Sequence, residues 1–250
     1  MSIRLIGLEK SFGTKHVLRG LDLEIQDGHT VSIVGGSGSG KSVALKHIVG
    51  LLQPDDGEVW VDEHNVSRLD AESLYTLRRH VGFVFQFAAL FDSMTIADNV
   101  AMGLRRLSSM TEKAIADRVR ECLAMVDLVG YGERFPSELS GGQRKRVGFA
   151  RAIATSPKYM LYDEPTTGLD PVTTAVIDRL IVKMSDELGV TGVVITHDMT
   201  SAFRISDRVA MLYEGRIRFE GSPDEFKGAT DPVVRGFREG LPELMEGTTS

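Results

Sequence analysis

The spacing of apolar and polar residues predicts short strands near the start of the chain and strand–helix alternation after them. Residues 21–25 alternate between apolar and acidic side chains, which is typical of a strand with one buried face. Four later runs are apolar almost throughout, as in strands buried on both faces: residues 31–34, 81–85, 159–162 and 193–195. Because such strands followed by helices favour a parallel sheet covered on both sides, the pattern predicts an α/β fold.

Residues 87–158 change to a helical pattern. Helices are predicted over 92–104 and 144–154, and another behind a capping box formed by Ser109 and Glu112. The apolar face of that last helix should be buried, because its members recur at helical spacing: Ile115, Val119, Cys122, Leu123 and Val126.

The last third of the chain returns to the strand–helix pattern. We expect a helix over 172–188 that Gly189 ends, a hairpin over 208–219, and a short helical tail with a frayed end at 229–250. The predicted organisation is one domain over residues 1–228, with a core built from 1–86 and 159–228 and a helical subdomain at about 87–158.

A glycine-rich turn between a strand and a helix carries the clearest chemistry. The stretch GGSGSGKS at residues 35–42 matches GxxxxGK[ST], the pattern of a P-loop. Its glycines let several backbone N–H groups face a phosphate chain, and the helix N-terminus adds partial positive charge. Lys41 should reach the β- and γ-phosphates, and the Ser42 hydroxyl is a ligand for Mg²⁺. The nucleotide-binding residues predicted here are Gly35, Gly36, Ser37, Gly38, Ser39, Gly40, Lys41, Ser42 and Val43.

Polar side chains follow three of the other predicted buried strands. Gln86, the pair Asp163 and Glu164, and His197 each come at a strand end, and the carboxyl ends of parallel strands meet at one edge of a sheet. A carboxylate such as Asp163 is costly there unless it binds a cation, which Mg²⁺ on ATP would supply. Glu164 is placed to deprotonate water, and His197 to contact the γ-phosphate. Taken singly, each also suits a structural or solvated role.

Two further stretches have both a binding and a structural interpretation. Residues 139–143, LSGGQ, precede a basic amphipathic helix and predict a second anion-binding helix N-terminus. The basic run at 144–146 could instead be a solvated helix face. Phe12, upstream of the P-loop, could stack on a base or pack in the core at a strand end.

Composition narrows the class of protein. The chain has 250 residues and a net charge of −6, which disfavours a nucleic-acid partner because that role usually needs a basic surface. Cys122 is the only cysteine, so neither an internal disulfide nor a cysteine zinc site can form, which fits a reducing compartment. We expect no signal peptide and no membrane span, so that any membrane role would come through a partner chain.

LSGGQ, GGSGSGKS and YMLYDEP together resemble the motifs of the nucleotide-binding subunits of ABC transporters. The resemblance covers about residues 2–228. It implies a P-loop NTPase with a RecA-like core, an N-terminal antiparallel β subdomain and an inserted α-helical subdomain. It also implies ATP hydrolysis coupled to transport, in a head-to-tail homodimer with two ATP molecules at its interface.

The same resemblance implies a role for each matching residue. Phe12 would stack on adenine, Gln86 would be the Q-loop residue and a Mg²⁺ ligand, and His197 would be the switch histidine. Glu164 would be the catalytic base, and Ser42 and Asp163 would bind Mg²⁺. The residues expected to contact the nucleotide from the signature and the D-loop are Ser140, Gly141, Gly142, Gln143 and Asp170.

A narrower resemblance concerns the transported substrate. FQFAALFDSMTIADNV at 85–100 and DPVVRGF at 231–237 look like the ATPases of Mla and MCE-type phospholipid transporters. These imply an integral-membrane permease, an MCE-domain substrate-binding protein, a small STAS-domain subunit, and a peripheral location at the cytoplasmic face of the inner membrane. The alternatives are an ABC importer or exporter for another solute, a soluble ABC ATPase acting on DNA or ribosomes, and a P-loop kinase.

Overall fold

The computed structural model describes residues 2–107 and 109–246. In the first half of the chain the elements are β1 (Ser2–Phe12), β2 (Lys15–Gln26), β3 (Thr30–Val34), α1 (Lys41–Ile48), β4 (Asp56–Val61), β5 (His64–Asn65), α2 (Ala71–Arg78), β6 (Val81–Val84), α3 (Ile96–Leu107) and α4 (Glu112–Met125). The others are α5 (Gly141–Ile153), β7 (Tyr159–Asp163), α6 (Pro171–Leu188), β8 (Thr191–Ile195), α7 (Met199–Ile205), β9 (Arg208–Tyr213), β10 (Arg216–Gly221), α8 (Pro223–Gly228), α9 (Pro232–Glu239) and α10 (Pro242–Glu246).

The described residues form two units, one of residues 2–74 with 191–246 and one of residues 75–190. The first contains an antiparallel sheet in the order β2-β1-β4-β5. Its buried side chains alternate along the strands, as at Leu21, Leu23 and Ile25, because successive residues of a strand face opposite sides. Where the sequence predicts two short strands at 17–18 and 21–25, β2 is continuous, since its pairing with β1 includes Arg19 opposite Glu9.

The second sheet of this unit carries the predicted buried strands. β3 lies parallel to both β8 and β9, and β10 completes a hairpin with β9. Every residue of β3 and β8 is buried, which confirms that their continuous apolar runs mark strands covered on both faces.

The C-terminal residues are packed more firmly than the sequence predicts. Helices α9 and α10 occupy much of the expected tail, and Val233 and Val234 are fully buried. They belong to an apolar cluster that includes Phe226 and Val34, the last residue of β3. Burial of these apolar side chains stabilises a segment in which the sequence predicts a frayed end. The last four residues, 247–250, lie outside the described part.

The second unit contains the parallel pair β6 and β7 together with helices α3, α4, α5 and α6. The predicted strand at 81–85 is shorter, since β6 ends at Val84 and Phe85 is exposed. Its burial also alternates, so this strand has one partly open face and is not buried on both sides as predicted.

Two helix starts differ from the sequence prediction because of local capping. Thr111 caps α4 by accepting a hydrogen bond from the Ala114 N–H, and no box forms because Ala114 has no acceptor side chain. Helix α3 begins at Ile96 rather than at residue 92, with the Thr95 hydroxyl accepting from the Asp98 N–H. In the part of the chain that the structure describes, no helix is long and apolar enough to cross a membrane.

His47, on the helix after the P-loop, makes stability depend on pH. Its ring is 1 % exposed and its Nδ1 lies 2.7 Å from the Val43 carbonyl oxygen. Burial lowers the pKa of His47 below its ordinary value of 6.5, although hydrogen bonds to backbone groups oppose the shift. As pH falls through about 6.5, the unfolded chain takes up a proton that the folded chain does not, so the free energy of unfolding decreases.

We therefore expect His47→Gln to flatten the dependence of the unfolding free energy on pH between about pH 7.5 and about pH 5.5. Urea denaturation at both pH values measures this slope, whatever the absolute stability of the variant. His64→Gln, at an exposed histidine, is the matched control. An unchanged slope in His47→Gln would show that His47 does not remain neutral in the folded chain.

Candidate functional site

The P-loop connects β3 to α1 in the first unit. A Cβ at Gly35 would lie 2.3 Å from the Leu212 carbonyl oxygen of β9, so only glycine fits between the loop and this strand. Lys41 is the first residue of α1 and is 6 % exposed. Its Nζ donates hydrogen bonds to the carbonyl oxygens of Gly35, at 2.9 Å, and Gly36, at 3.0 Å. The loop thus gathers a helix N-terminus and an ammonium group, as phosphate binding requires.

His197 lies after β8, at the same edge of the sheet where the P-loop follows β3. Strands β3 and β8 are parallel and adjacent, and the Thr196 N–H donates to the Ile33 carbonyl at 3.3 Å. His197 follows Thr196 and is exposed. The structure therefore brings together these two candidates, as expected from the carboxyl ends of neighbouring parallel strands.

Phe12 ends β1 at the tip of the β1–β2 hairpin, also in the first unit. Its side chain is 47 % exposed, so it is not the core residue that one interpretation of the sequence suggested. Lys10 Nζ lies over this ring, 5.8 Å from its centroid, which leaves the opposite face of the ring for stacking.

The paired carboxylates of the second unit follow β7. Asp163 is the last residue of this strand and is half-buried, as is Glu164. Glu164 has a φ of 49°, an uncommon left-handed conformation for a residue other than glycine. The Thr167 hydroxyl donates to Glu164 Oε2 at 3.0 Å. This hydrogen bond helps to orient the carboxylate that the sequence predicts as the base.

The LSGGQ motif forms the start of α5, three residues earlier than predicted. Gln143 Oε1 accepts from the Ser140 N–H at 2.9 Å, and Ser140 Oγ accepts from the Gln143 N–H at 3.3 Å. This reciprocal capping box makes Gly141 the first helical residue. A Cβ at Gly142 would lie 2.5 Å from Thr173 Cγ2 on α6, so glycine is required for this approach.

Lys145 corrects the interpretation of residues 144–146 as a solvated helix face. Its side chain is 7 % exposed, and its Nζ donates to the carbonyl oxygens of Pro165, at 2.8 Å, and Thr167, at 2.7 Å. Burial lowers the pKa of Lys145 to about 8, and the negative charge of Glu164 opposes that shift. Lys145 thus ties the signature helix to the turn that follows Glu164.

The two remaining candidates lie at element ends in the same unit. Asp170 is the N-cap of α6 and accepts from the N–H groups of Val172 and Thr173, each at 3.0 Å. The hydrogen bond from the Thr173 hydroxyl is the main cause that lowers the pKa of Asp170, and the bonds from backbone N–H groups lower it as well. Gln86 is half-buried in the turn after β6. Capping accounts for the position of Asp170 without a ligand.

The predicted metal ligands of the two units carry oxygen donors. Within residues 2–107 and 109–246, no group of three or more His, Cys, Asp or Glu residues is placed to hold a metal ion. The Ser42 hydroxyl in the first unit and the Asp163 carboxylate in the second unit are hard oxygen donors, the type that Mg²⁺ prefers. Cys122 is buried, which raises the pKa of its thiol to about 11 and makes it unreactive.

Comparison with known proteins identifies the family. The sequence model described as "ABC transporter" matches residues 18–167. The chain is 42 % identical over 248 residues to Protein TRIGALACTOSYLDIACYLGLYCEROL 3, chloroplastic, of Arabidopsis thaliana, covering 92 % of this chain and 71 % of that protein. It is also 42 % identical to the sulfate/thiosulfate import ATP-binding protein CysA of Halalkalibacterium halodurans, covering 95 % of this chain and 66 % of that protein. The chain thus spans about two thirds of the length of these relatives.

A solved structure agrees with both fold and chemistry. The ATP-binding cassette MJ0796, as a dimer in a post-hydrolysis state bound to ADP and Pi, has a TM-score of 0.81 with this chain at 36 % identity. The match covers 88 % of this chain and 98 % of that one. The protein belongs to the ABC transporter family and is an ATP-binding ATPase cassette with a P-loop NTPase fold. The predictions of fold class, ATP binding and ATPase activity are confirmed, whereas the roles of single residues stay predictions.

Sequence reasoning missed Lys145 and Thr167. Helical spacing carried a signal for Lys145, because it lies three and four residues before Gly148 and Phe149, which are both buried. No comparable signal marked Thr167, since its contact with Glu164 depends on the conformation of a turn.

The Thr167 hydroxyl provides a test of how Glu164 is held. We expect Thr167→Val to lower the rate of ATP hydrolysis about ten-fold with little change in KM, because the carboxylate loses a donor that orients it. Thr167→Ser retains the hydroxyl and should stay near wild type. Phosphate-release kinetics measure both variants. Equal rates for the valine and serine variants would show that this hydrogen bond does not position Glu164.

Proposed function

We propose that this cassette powers a membrane permease as a homodimer, peripherally at the cytoplasmic face of the inner membrane, and that the transported substrate is a phospholipid. The observation that carries the permease proposal is an exposed aromatic segment that contains Gln86. The family membership supports coupling to transport, and the segment offers a surface through which coupling can act.

We assign each site residue the role that its chemistry fits. Lys41 and the P-loop amides hold the phosphates, and Phe12 stacks on the base. Ser42, Asp163 and Gln86 would bind Mg²⁺, which when bound neutralises phosphate charge. Glu164 accepts a proton from the attacking water, and His197 contacts the terminal phosphate. These roles rest on the oxygen and nitrogen donors present at each position and on the motifs.

The dimer proposal rests on the start of α5. Ser140 and Gln143 use their own side chains and backbone groups to cap each other, whereas the N–H groups of Gly141 and Gly142 belong to the first helical turn, which has no intrahelical acceptors. An ATP phosphate presented by a second copy would satisfy such donors. The related cassette MJ0796 is dimeric in its ADP- and Pi-bound structure, which supports the same arrangement here.

The permease proposal rests on residues 85–94, here called the aromatic segment. Phe87 is 84 % exposed, and its neighbours Phe85, Phe91 and Met94 are exposed as well. Large apolar side chains clustered on a surface are typical of sites that bind another protein. The segment contains Gln86, so a partner bound here would touch a residue proposed to contact the nucleotide-bound Mg²⁺.

Side chains of α5 and α3 hydrogen-bond to backbone groups in two parts of this segment. Arg151 of α5 donates to the carbonyl oxygens of Ala88, at 2.7 Å, and Ala89, at 2.6 Å. Both alanines have positive φ values, which are uncommon for residues other than glycine. The buried Asn99 side chain accepts from the Phe91 N–H at 2.8 Å and donates to nearby carbonyl oxygens. Preorganisation of this kind lowers the entropic cost of binding a partner.

Phospholipid is the substrate class that the sequence of this segment favours. Residues 85–100 and 231–237 resemble the ATPases of MCE-type lipid transporters, which would add an MCE-domain protein and a STAS-domain subunit as partners. The name of the Arabidopsis thaliana relative contains that of a galactolipid, which is also consistent with a lipid. The CysA relative is named for sulfate/thiosulfate import, so a small-solute importer is the second candidate.

Cysteine cross-linking tests the permease contact. We expect Phe87→Cys, expressed from its own locus, to cross-link through a short bifunctional reagent to an integral-membrane protein. The native Cys122 is buried and unreactive, so the introduced thiol reacts alone. Val129→Cys is the control, because Val129 is 76 % exposed and lies in the same unit. Equal membrane cross-linking from both positions, or none from Phe87→Cys, would contradict the proposed docking surface.

Substrate class needs a separate measurement on the assembled complex. The complex that copurifies with the cassette should move fluorescent phospholipid between vesicles in an ATP-dependent manner. Sulfate and thiosulfate should leave its ATPase rate unchanged. Stimulation by one of those solutes, with no lipid transfer, would favour the importer and leave the permease proposal intact.

A further inference from the structure

The tip of the β1–β2 hairpin runs alongside the P-loop within the first unit. A Cβ at Gly40 would lie 2.9 Å from Leu18 Cδ2 and 3.0 Å from Val17 Cγ1. The start of β2 is therefore packed against the end of the loop, and residues before Val17 continue along it.

Lys15, the first residue of β2, reaches the loop at Gly38. Its Nζ lies 3.9 Å from the position that a Cβ at Gly38 would occupy, and the side chain is exposed. Across the residues that the structure describes, the Lys15 ammonium has no hydrogen bond or ion pair, whereas Lys10 on β1 pairs with Asp55 at 2.6 Å. The hairpin tip thus presents a cation that the fold does not neutralise.

The position of Lys15 relative to Phe12 indicates which phosphates it can meet. Phe12 and Lys15 are directly paired residues of β1 and β2. If Phe12 stacks on the base and the P-loop holds the β- and γ-phosphates, an ammonium between them faces the inner part of the polyphosphate. We propose that Lys15 binds the α- and β-phosphates of the nucleotide. The choice of phosphates rests on the role proposed for Phe12.

The charge of the ligand explains why a second lysine is useful. Lys41 lies inside the loop, where it also bonds to loop carbonyl oxygens. Lys15 approaches the loop from outside, where a charge-assisted hydrogen bond to phosphate is partly screened by water. Because ADP and ATP share the α- and β-phosphates, Lys15 strengthens the binding of both nucleotides and has little effect on the hydrolysis step.

Nucleotide titrations of Lys15→Ala test the proposal. Isothermal titration calorimetry with ADP and with a non-hydrolysable ATP analogue should show affinities weaker by about ten-fold for both, as expected for one exposed charge-assisted contact. Lys15→Arg should retain most of the affinity. Lys46→Ala is the matched control, because Lys46 is an exposed lysine on α1. Thermal unfolding without nucleotide should be the same for all variants, since Lys15 has no partner to lose.

Two results would overturn the assignment. Affinities of Lys15→Ala within about two-fold of the Lys46→Ala values would remove Lys15 from the site. Weakening of the ATP analogue alone would mean that the ammonium meets the γ-phosphate, not the α- and β-phosphates. Lys41→Ala separates this proposal from the role of the P-loop itself, because retention of nucleotide by that variant would refute the P-loop assignment whatever Lys15 does.

Discussion

Two buried ammonium groups hold the loops on which this ATPase depends. An ammonium removed from water is costly unless hydrogen bonds replace its hydration. Lys41 and Lys145 are 6 % and 7 % exposed, and each donates to two backbone carbonyl oxygens. In both cases the carbonyls belong to a loop that follows a strand, and the lysine lies near the start of a helix. The same electrostatic requirement therefore shapes the phosphate loop in one unit and the turn after Glu164 in the other.

The fold was largely predictable because the sequence pattern has a direct physical cause. β3 and β8 are covered on both faces, so apolar residues predominate in them and even Thr30, Ser32 and Thr191 are buried. The helix face around Cys122 repeats at the period of an α-helix. The chemical motifs were also visible, since a P-loop needs glycine, lysine and serine at fixed spacing. These patterns do not predict which hydrogen-bond partners each polar side chain has in the folded protein.

The errors arose where a tertiary or capping contact decided the outcome. One interpretation of residues 144–146 was a solvated helix face, yet Lys145 is buried because the carbonyl oxygens of Pro165 and Thr167 accept its hydrogen bonds. The tail is helical as predicted, and what the sequence did not predict is the apolar cluster that buries Val233 and Val234. The capping box at Ser109 does not form because the helix is capped two residues later, by Thr111. The transported substrate could not be predicted for a different reason: the motifs of the ATPase bind the nucleotide and do not contact the transported molecule.

The packing of Val34 beside Phe226, Val233 and Val234 affects when the strand before the P-loop becomes supported during translation. Val34 is the residue before the P-loop, and its partners in this cluster are separated from it by most of the chain. A nascent chain on the ribosome therefore carries the complete phosphate-binding motif long before the residues that buttress it have been made. Contacts of such long sequence separation form late in folding. A partly synthesised cassette would then present its motif on an unsupported strand until Phe226, Val233 and Val234 have been made.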